Sequence, residues 1–270
     1  MQNSLFGMAL ELLYWLTPFH LGIDYNPAMR VLAIDTSTAS GGIAALEDKR
    51  LLGHVFTASS EDYSTRFFGE LKTLLDEVKL SVADFDVYAV TAGPGSFTGL
   101  RVGLTTVKAW AEVHGKLVAP VSGLQAVAAQ ASGGTEYVAA IMDGRRGQIF
   151  GGLYRRNEEE LEPVGDEVVM RADEFLTDVY ARLPRVREAR NSIAGLSFAS
   201  PEPRLFSAVL ASSILAGARG EKVSADLATW VGQLAFDLAR RGELVDALSL
   251  DAHYVRRSDA ESYWQDTKAK

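Results

Sequence analysis

The sequence predicts an α/β protein in which helices flank mixed sheets. Short apolar runs typical of strands, at residues 31–34, 87–91 and 117–121, alternate with stretches of helical apolar periodicity. The chain has 270 residues, 47% of them hydrophobic, enough to fill a substantial core. Strand pairs at the start of each half of the chain suggest an old duplication.

The first half predicts a β-meander followed by alternating helices and strands. Apolar runs at residues 31–34, 42–46 and 51–57 form the meander. The predicted elements that follow are a helix at 64–79, a strand at 87–91, a helix at 100–114, a strand at 117–121 and a helix at 123–131. Because strands and helices alternate here, we expect the sheet to continue with parallel strands.

The second half begins after a polar break at residues 132–135. Strands at 137–142 and 148–154 flank Asp143-Gly-Arg-Arg-Gly147 and predict a hairpin. The remaining predicted elements are an acidic loop at 157–162, a helix at 172–183, a basic connector at 184–191, a strand at 193–196 and a helix at 225–241. Arg240 and Arg241 are favourable at the C-terminal end of that last helix, because positive side chains interact well with the helix dipole there. Gly242 ends the helix.

Composition limits the function classes. Acidic residues number 35 and basic residues 27, giving a formal charge of −8, which argues against RNA binding by this chain alone. The chain has no cysteine, which excludes disulfides, a thiolate nucleophile and sulfur-ligated zinc, and we expect a cytoplasmic location. Residues 1–28 fit neither a signal peptide nor a membrane span. We interpret them as an N-terminal extension before a native start at Met29, or alternatively as a surface-docked amphipathic helix.

The most specific motif is Gly93-Pro-Gly-Ser-Phe-Thr-Gly-Leu-Arg-Val-Gly103, between a predicted strand and a predicted helix. Its third glycine, Gly99, comes one residue too late for a dinucleotide-binding fingerprint. A phosphate-binding P-loop would need lysine where Leu100 stands. The spacing therefore favours a tight connection, with Thr98 capping the next helix, over a nucleotide site.

The helix after this turn is apolar on two sides. A helical wheel places Leu100, Leu104, Val107 and Ala111 on one side, with Val102, Ala109 and Val113 nearly opposite. The sheet can cover only one side. The other is covered either by the helix at 64–79 or by a partner's helix, and the pattern favours a partner. The predicted partner interface comprises Phe67, Leu71, Leu74, Leu75, Phe97, Leu100, Val102, Leu104, Thr106, Ala109, Trp110 and Val113.

Three strings together resemble the TsaB (YeaZ) family over residues 29–257: Val31-Leu-Ala-Ile-Asp-Thr-Ser-Thr38, the glycine-rich motif, and Asp251-Ala-His-Tyr-Val-Arg256. The resemblance implies two actin-like domains (the ASKHA or ribonuclease H-like fold). We expect them at residues 29–134, carrying the dimerisation helices, and at 135–270, with a polar tail from about 258.

The resemblance also implies a function. Members of the family resemble the catalytic subunit TsaD and bind it, so that threonylcarbamoyl is transferred to N6 of the adenosine next to the anticodon in tRNA. A TsaE-type ATPase joins the assembly. The chain would then be a non-catalytic scaffold or activator that forms a homodimer when alone, reaches tRNA only through the complex and binds no membrane.

Metal chemistry is not expected. The His-x-x-x-His metal pair of TsaD proteins would fall at Gly123 and Val127, which cannot ligate a metal. The four histidines, His20, His54, His114 and His253, are scattered singly. We therefore expect no catalytic residue, no metal and no cofactor, and the metallopeptidase alternative is disfavoured.

An ATPase or phosphotransferase using Asp35 is the alternative function. Asp35, Thr36 and Ser37 resemble the first phosphate loop of actin-like ATPases and predict a vestigial nucleotide site. A hydroxyl-rich turn is also ordinary hairpin chemistry, and the nearest candidate for an adenosine loop is Ile193-Ala-Gly-Leu-Ser197. Asp143, Arg145 and Gly147 match the family's Asp-x-Arg-x-Gly pattern. A local ion pair explains that match more simply than a contact with a partner or RNA.

Overall fold

The computed structural model describes residues 28–38, 40–58, 63–157, 160–183 and 192–256. The predicted N-terminal extension, apart from residue 28, the connector at 184–191 and the polar tail from about 258 lie outside these residues. No helix within the described ranges is both long enough and apolar enough to cross a membrane.

The first half forms a five-stranded sheet in the order β3-β2-β1-β4-β5. Its strands are β1 (Arg30–Asp35), β2 (Ser40–Glu47), β3 (Arg50–Ala58), β4 (Val87–Gly93) and β5 (Leu117–Ser122). The first three pair antiparallel, whereas β4 and β5 run parallel to β1. All residues of β4 are buried, as expected for a parallel strand covered on both faces. Its helices are α1 (Tyr63–Val78), α2 (Phe97–His114) and α3 (Gly123–Ala129).

The second half forms a six-stranded sheet in which β11-β10-β6-β7-β8 are ordered neighbours and β9 pairs with β7. Its strands are β6 (Tyr137–Arg145), β7 (Gln148–Asn157), β8 (Glu160–Pro163), β9 (Val168–Met170), β10 (Leu196–Ser200) and β11 (Arg219–Lys222). Its helices are α4 (Ala172–Arg182), α5 (Ser207–Ala211) and α6 (Ala228–Arg241).

The two sheets repeat one topology. β6, β7 and β8 form an antiparallel set like β1, β2 and β3, and β10 and β11 add in parallel as β4 and β5 do. The helices also follow in the same order, because α4, α5 and α6 occupy the sequence positions of α1, α2 and α3. The duplication suggested by the two hairpins is therefore visible in the fold.

The chain folds into alternating layers of helices and sheets. Helices α1 and α2 pack on the outer face of the first sheet, and α4 and α5 on the outer face of the second. Between the sheets, α3 and α6 share one core cluster with residues of both sheets. Helix α6 therefore packs on the first sheet although it lies in the second half of the sequence.

Several local predictions were wrong. Residues 160–162 of the predicted acidic loop belong to β8, which ends at Pro163. Strand β10 begins at Leu196, after the 3-10 turn Ser192–Gly195. Helix α2 begins at Phe97, and its N-cap is Ser96 instead of the predicted Thr98, because the Ser96 hydroxyl accepts a hydrogen bond from the Gly99 amide. Three elements were not predicted: β9, α5 and β11.

Candidate functional site

Helices α1 and α2 lie side by side on the first sheet. The Phe67 ring of α1 stacks on the Trp110 ring of α2, with centroids 6.1 Å apart and an interplanar angle of 25°. Trp110 also contacts Tyr88 of β4, with ring centroids 5.7 Å apart. The two helices therefore share one core with the sheet beneath them and present their other sides outward.

Part of the predicted partner interface is not available to a partner. Five of the twelve residues are buried in the chain's own core because they face the first sheet: Phe67, Leu71, Leu74, Leu100 and Leu104. Assigning these five to an interface was wrong, since a helix must bury one apolar side on its own sheet before it can present another. The other seven are half-buried or exposed: Leu75, Phe97, Val102, Thr106, Ala109, Trp110 and Val113.

An apolar surface remains on the outer side of the two helices. Val113 of α2 is 76% exposed, Phe68 of α1 is 66% exposed and Phe97 is 37% exposed. A shallow groove of about 470 Å³ runs along α2, lined by Phe97, Thr98, Arg101, Val102, Thr105 and Thr106. We call Phe68, Phe97, Val102, Thr106, Ala109 and Val113 the helical surface. The predicted interface did not include Phe68, because this residue lies outside the apolar stripe of α1. The one sequence feature that could have indicated it is an aromatic side chain on the polar side of a helix.

A cleft of about 690 Å³ separates the two halves of the chain. Its walls come from the loop after β1, the glycine-rich turn, the β6–β7 hairpin, the segment after β10 and residues 253–256. The cleft therefore lies where the phosphate loop and the hairpin suggested by the sequence face each other.

The three residues of the predicted nucleotide site are buried. Asp35, Thr36 and Ser37 are each 1% exposed. One oxygen of Asp35, Oδ1, accepts hydrogen bonds from the Ser37 amide at 3.0 Å and the Ser37 hydroxyl at 2.7 Å, and the Thr36 hydroxyl donates to the Gly99 carbonyl at 2.7 Å. Burial raises the pKa of Asp35 above its ordinary value, although the two hydrogen bonds from Ser37 act to lower it. Asp35 does not line the cleft, although Ser37 does.

The glycine-rich turn packs directly on that loop. A Cβ at Gly99 would lie 2.0 Å from the Thr36 carbonyl oxygen, and one at Gly95 would lie 2.4 Å from the Ser37 carbonyl oxygen. The Ser96 amide donates to the Ser37 carbonyl at 2.6 Å. The glycines are therefore needed for close backbone contact, which supports the tight-connection interpretation of the motif.

The C-terminal segment at residues 250–256 ties the glycine-rich turn to the second half. The His253 amide donates to the Ala92 carbonyl at 2.8 Å. The Tyr254 ring lies 4.9 Å from the Phe97 ring, and the Arg101 guanidinium covers the Phe97 ring at 3.8 Å. Beyond them, Arg256 donates to Gln148 Oε1 at 2.6 Å. Sequence reasoning assigned no role to this segment, since its string is weakly specific on its own.

The β6–β7 hairpin presents two arginines in left-handed backbone conformation, Arg145 at φ 60° and Arg146 at φ 54°. Asp143 Oδ1 accepts a hydrogen bond from the Arg145 backbone amide at 2.7 Å. The predicted local Asp–Arg contact therefore uses the backbone of Arg145, and the turn geometry explains it because Asx turns hold the backbone two residues on.

A partly buried polar cluster also joins the halves. Ser122 and Tyr154 donate to Glu167 Oε1, Tyr154 at 2.5 Å, and His253 Nε2 lies 3.5 Å from a Glu167 carboxylate oxygen. Burial, together with the Glu167 carboxylate, raises the pKa of Tyr154 well above its ordinary value. These contacts link the end of β5, the end of β7 and the C-terminal segment.

The positions of the TsaD metal pair lie inside α3. Val127 is fully buried, and a Cβ on Gly123 would lie 3.2 Å from Thr91 Cγ2, so a histidine at either position would need rearrangement. Over the described residues, no group of three or more His, Asp or Glu side chains could hold a metal ion. His54 lies 3.5 Å from Asp226, far along the chain from His114 and His253.

Comparison with known proteins places the chain in a family. The family model described as "TsaD: tRNA N6-adenosine threonylcarbamoyltransferase" matches residues 48–242, well over half of the chain. The chain belongs to the TsaD family. A relative from Bacillus subtilis, "tRNA threonylcarbamoyladenosine biosynthesis protein TsaB", is 29% identical over 238 residues, covering 87% of this chain and 98% of the relative.

Two further relatives agree. The Escherichia coli protein of the same TsaB description is 32% identical over 133 residues, covering 48% of this chain and 57% of the relative. The solved structure of YeaZ from Pseudomonas aeruginosa has a TM-score of 0.65 at 25% identity, covering 84% of this chain and 99% of that one. The resemblance to TsaB (YeaZ) proteins and the expected duplicated α/β fold, with mixed sheets flanked by helices, are therefore confirmed.

Proposed function

We propose that the chain is a non-catalytic subunit in the biosynthesis of N6-threonylcarbamoyladenosine in tRNA, and that it docks through its helical surface on a TsaD-type catalytic paralogue. One observation carries the proposal. A member of the TsaD family has an exposed apolar surface on paired helices, while the positions of the family's metal pair hold Gly123 and Val127. The TsaB names of its relatives support the same biosynthetic role.

The chemistry of the helical surface suits a helical partner. Val113 and Phe68 are large apolar side chains that are mostly exposed to solvent. They lie on two helices that pack side by side. Between them and the groove along α2, small residues such as Thr106 and Ala109 let another helix approach closely. A paralogue of the same fold would offer the matching pair of helices, so that four helices pack together.

The absence of catalysis in this chain alone rests on two features. The acid that could position a phosphate-bound metal, Asp35, is buried and accepts two hydrogen bonds from Ser37. The metal positions of the family are buried in α3 without a ligating side chain. The ATPase or phosphotransferase alternative would need Asp35 to face the cleft, which it does not line.

The remaining assignments follow from the resemblance. The chain forms a homodimer through the same helical surface when the paralogue is absent, because that surface would otherwise stay exposed. A TsaE-type ATPase joins the assembly in the cytoplasm. The formal charge of −8 supports tRNA contact through the complex instead of through this chain alone.

Replacing Val113 by Glu tests the docking surface. Val113 is 76% exposed, so the variant should fold, but its carboxylate would be buried unpaired in the complex. We expect binding to the TsaD-type paralogue from the same organism to weaken at least about 30-fold. Size-exclusion chromatography with light scattering gives the mass of the complex, and titration calorimetry its affinity.

A matched control is Ile214→Glu, since Ile214 is 61% exposed but belongs to the second half. Leu104→Glu is unsuitable because Leu104 is buried in the protomer. If the Val113 variant binds the paralogue as tightly as the wild type, or the Ile214 variant loses binding equally, the helical surface is not the docking site.

A further inference from the structure

The first turns of α2 carry an arginine that is held in place beside the helical surface. The Arg101 guanidinium lies 3.8 Å from the centroid of the Phe97 ring, and its Nε donates to the Tyr254 hydroxyl at 3.4 Å. The Tyr254 ring lies 4.9 Å from the Phe97 ring, so the three side chains form one compact group. We call Phe97, Arg101 and Tyr254 the arginine cluster.

The tyrosine of this cluster is fixed by the residues on either side of it. The His253 amide donates to the Ala92 carbonyl at 2.8 Å, and Arg256 donates to Gln148 Oε1 at 2.6 Å. The hydroxyl that accepts from Arg101 therefore has a defined position. A guanidinium that is already oriented loses less conformational entropy when it binds a partner than a freely moving one does.

The positive charge of Arg101 has no counter-charge in the described part of the chain. Arg101 makes no ion pair with any residue that the structure describes, whereas exposed Arg155 pairs with Glu136 at 3.1 Å. The one acid of α2, Glu112, is eleven residues further on, about 16 Å along the helix axis. The terminal nitrogens of Arg101, Nη1 and Nη2, thus have no protein partner among the described residues.

The position of Arg101 indicates which anion it can bind. Arg101 lines the groove along α2 and is the one charged residue among the residues that line it. A helix docked on the helical surface would cover this groove and remove water from the guanidinium. A desolvated charge is costly unless an opposite charge pairs with it. A carboxylate matches the guanidinium best, because it can accept two parallel hydrogen bonds.

We propose that an Asp or Glu carboxylate of the TsaD-type paralogue binds the terminal nitrogens of Arg101 and fixes the position of the paralogue along α2. This inference rests on the proposed function, since it names one contact within the proposed docking surface. An RNA phosphate is the competing anion. The apolar neighbours Phe97 and Val102 in the groove, on a chain with a formal charge of −8, favour a protein carboxylate.

Titration calorimetry of the full chain with the paralogue, at several salt concentrations, tests the contact. We expect Arg101→Gln to weaken binding about tenfold or more and to make the remaining affinity less sensitive to salt. Arg101→Lys should recover only part of the affinity, because an ammonium group cannot donate two parallel hydrogen bonds. Arg101 is exposed, so both variants should fold.

Arg240→Gln is the matched control. Arg240 is also an exposed helical arginine near an aromatic ring, with its guanidinium 5.9 Å from the centroid of the Phe236 ring. It lies on α6, which packs on the opposite face of the first sheet from α2. We expect its affinity for the paralogue to equal that of the wild type.

A charge reversal identifies the carboxylate. Arg101→Glu should bind the paralogue about 100-fold more weakly, because two carboxylates would then face each other. Each exposed Asp and Glu on the paralogue's two helices that correspond to α1 and α2 is then replaced by Arg in turn. One of these replacements should restore binding of Arg101→Glu by about tenfold or more. A role of Arg101 in folding alone would not be rescued by a change in the partner.

Comparison with Val113→Glu separates this inference from the proposed function. If Val113→Glu loses binding while Arg101→Gln binds like the wild type, or if no reversed acid restores binding of Arg101→Glu, the carboxylate contact is wrong and the docking surface stands. If Val113→Glu and Arg101→Gln both bind like the wild type, both proposals fail. If Arg101→Gln weakens tRNA binding by the assembled complex but leaves paralogue affinity unchanged, Arg101 contacts RNA phosphate, which also overturns the inference.

Discussion

At several positions of the glycine-rich turn, neighbouring atoms lie so close to the backbone that only glycine fits. Gly99 is helical and lies against the Thr36 carbonyl oxygen, and Gly103 faces the Thr36 hydroxyl, where a Cβ would lie 2.5 Å away. The buried loop after β1 is therefore held by the first turns of α2. The motif packs the start of α2 against the buried loop after β1. This close packing explains the glycines of the motif without a ligand.

A pair of glycine substitutions tests this account. Gly99→Ala should lower the free energy of unfolding by about 3 kcal/mol, because its Cβ would lie 2.0 Å from a backbone oxygen that cannot easily move. Gly69→Ala, in α1, has nothing within 4 Å of its Cβ and should raise stability by about 0.5–1 kcal/mol. Urea denaturation measures both, and equal midpoints for the two variants would contradict the packing argument.

At the scale of residues, the sequence correctly predicted that α2 has two apolar sides. It did not show which of the two sides packs on the protein's own sheet. The wheel separated Leu100 and Leu104, which are buried, from Val102 and Val113, which reach the surface. The error was to assign both sides to a partner. Periodicity shows that two sides are apolar but not which side the protein's own sheet covers.

At the scale of elements, the apolar strands and the long helices were predictable, and the short polar elements were not. Strands β1 to β7 lie where the apolar runs placed them. Strands β8 and β11, with the sequences Glu-Leu-Glu-Pro and Arg-Gly-Glu-Lys, are edge strands with largely exposed side chains, so they carry no alternating pattern. Their pairing depends on the neighbouring strands, which local sequence does not encode.

Helix α6 is the element whose position matters most for domain organisation. Its buried residues, which include Ala228, Val231 and Ala235, pack in the cluster that contains Val31 and Leu46 of the first sheet. The predicted boundary at residues 134 and 135 separates this helix from the sheet on which it packs. The first half therefore depends on a helix from beyond that boundary.

A truncation follows from this arrangement. A chain of residues 29–134 keeps α3 but lacks α6, and exposes the part of the first sheet's inner face on which α6 packs, so we expect it to show no cooperative unfolding transition. A chain of residues 28–256 keeps α6 and should unfold cooperatively. Circular dichroism during thermal unfolding compares the two. A sharp transition in the shorter chain would show that the first half is self-sufficient.

At the scale of the whole molecule, the site depends on contacts between parts distant in sequence. The cleft brings the loop after β1, the β6–β7 hairpin and residues 253–256 together, and one polar cluster joins Ser122, Tyr154 and Glu167 across the halves. The motifs identified the loop and the hairpin separately. The path of the C-terminal segment could not be predicted, because its hydrogen bonds are largely made by backbone groups and single side chains.

We propose that this chain serves tRNA modification through a partner and not by chemistry of its own. The most direct test is a reconstituted assay in which the other subunits are held constant and N6-threonylcarbamoyladenosine is measured by mass spectrometry of the tRNA nucleosides. We predict product when the wild-type chain or Ile214→Glu is combined with the TsaD-type paralogue. Little or no product should form with Val113→Glu or when either protein is omitted. Product formed by this chain without the paralogue, or undiminished product with Val113→Glu, would contradict the account.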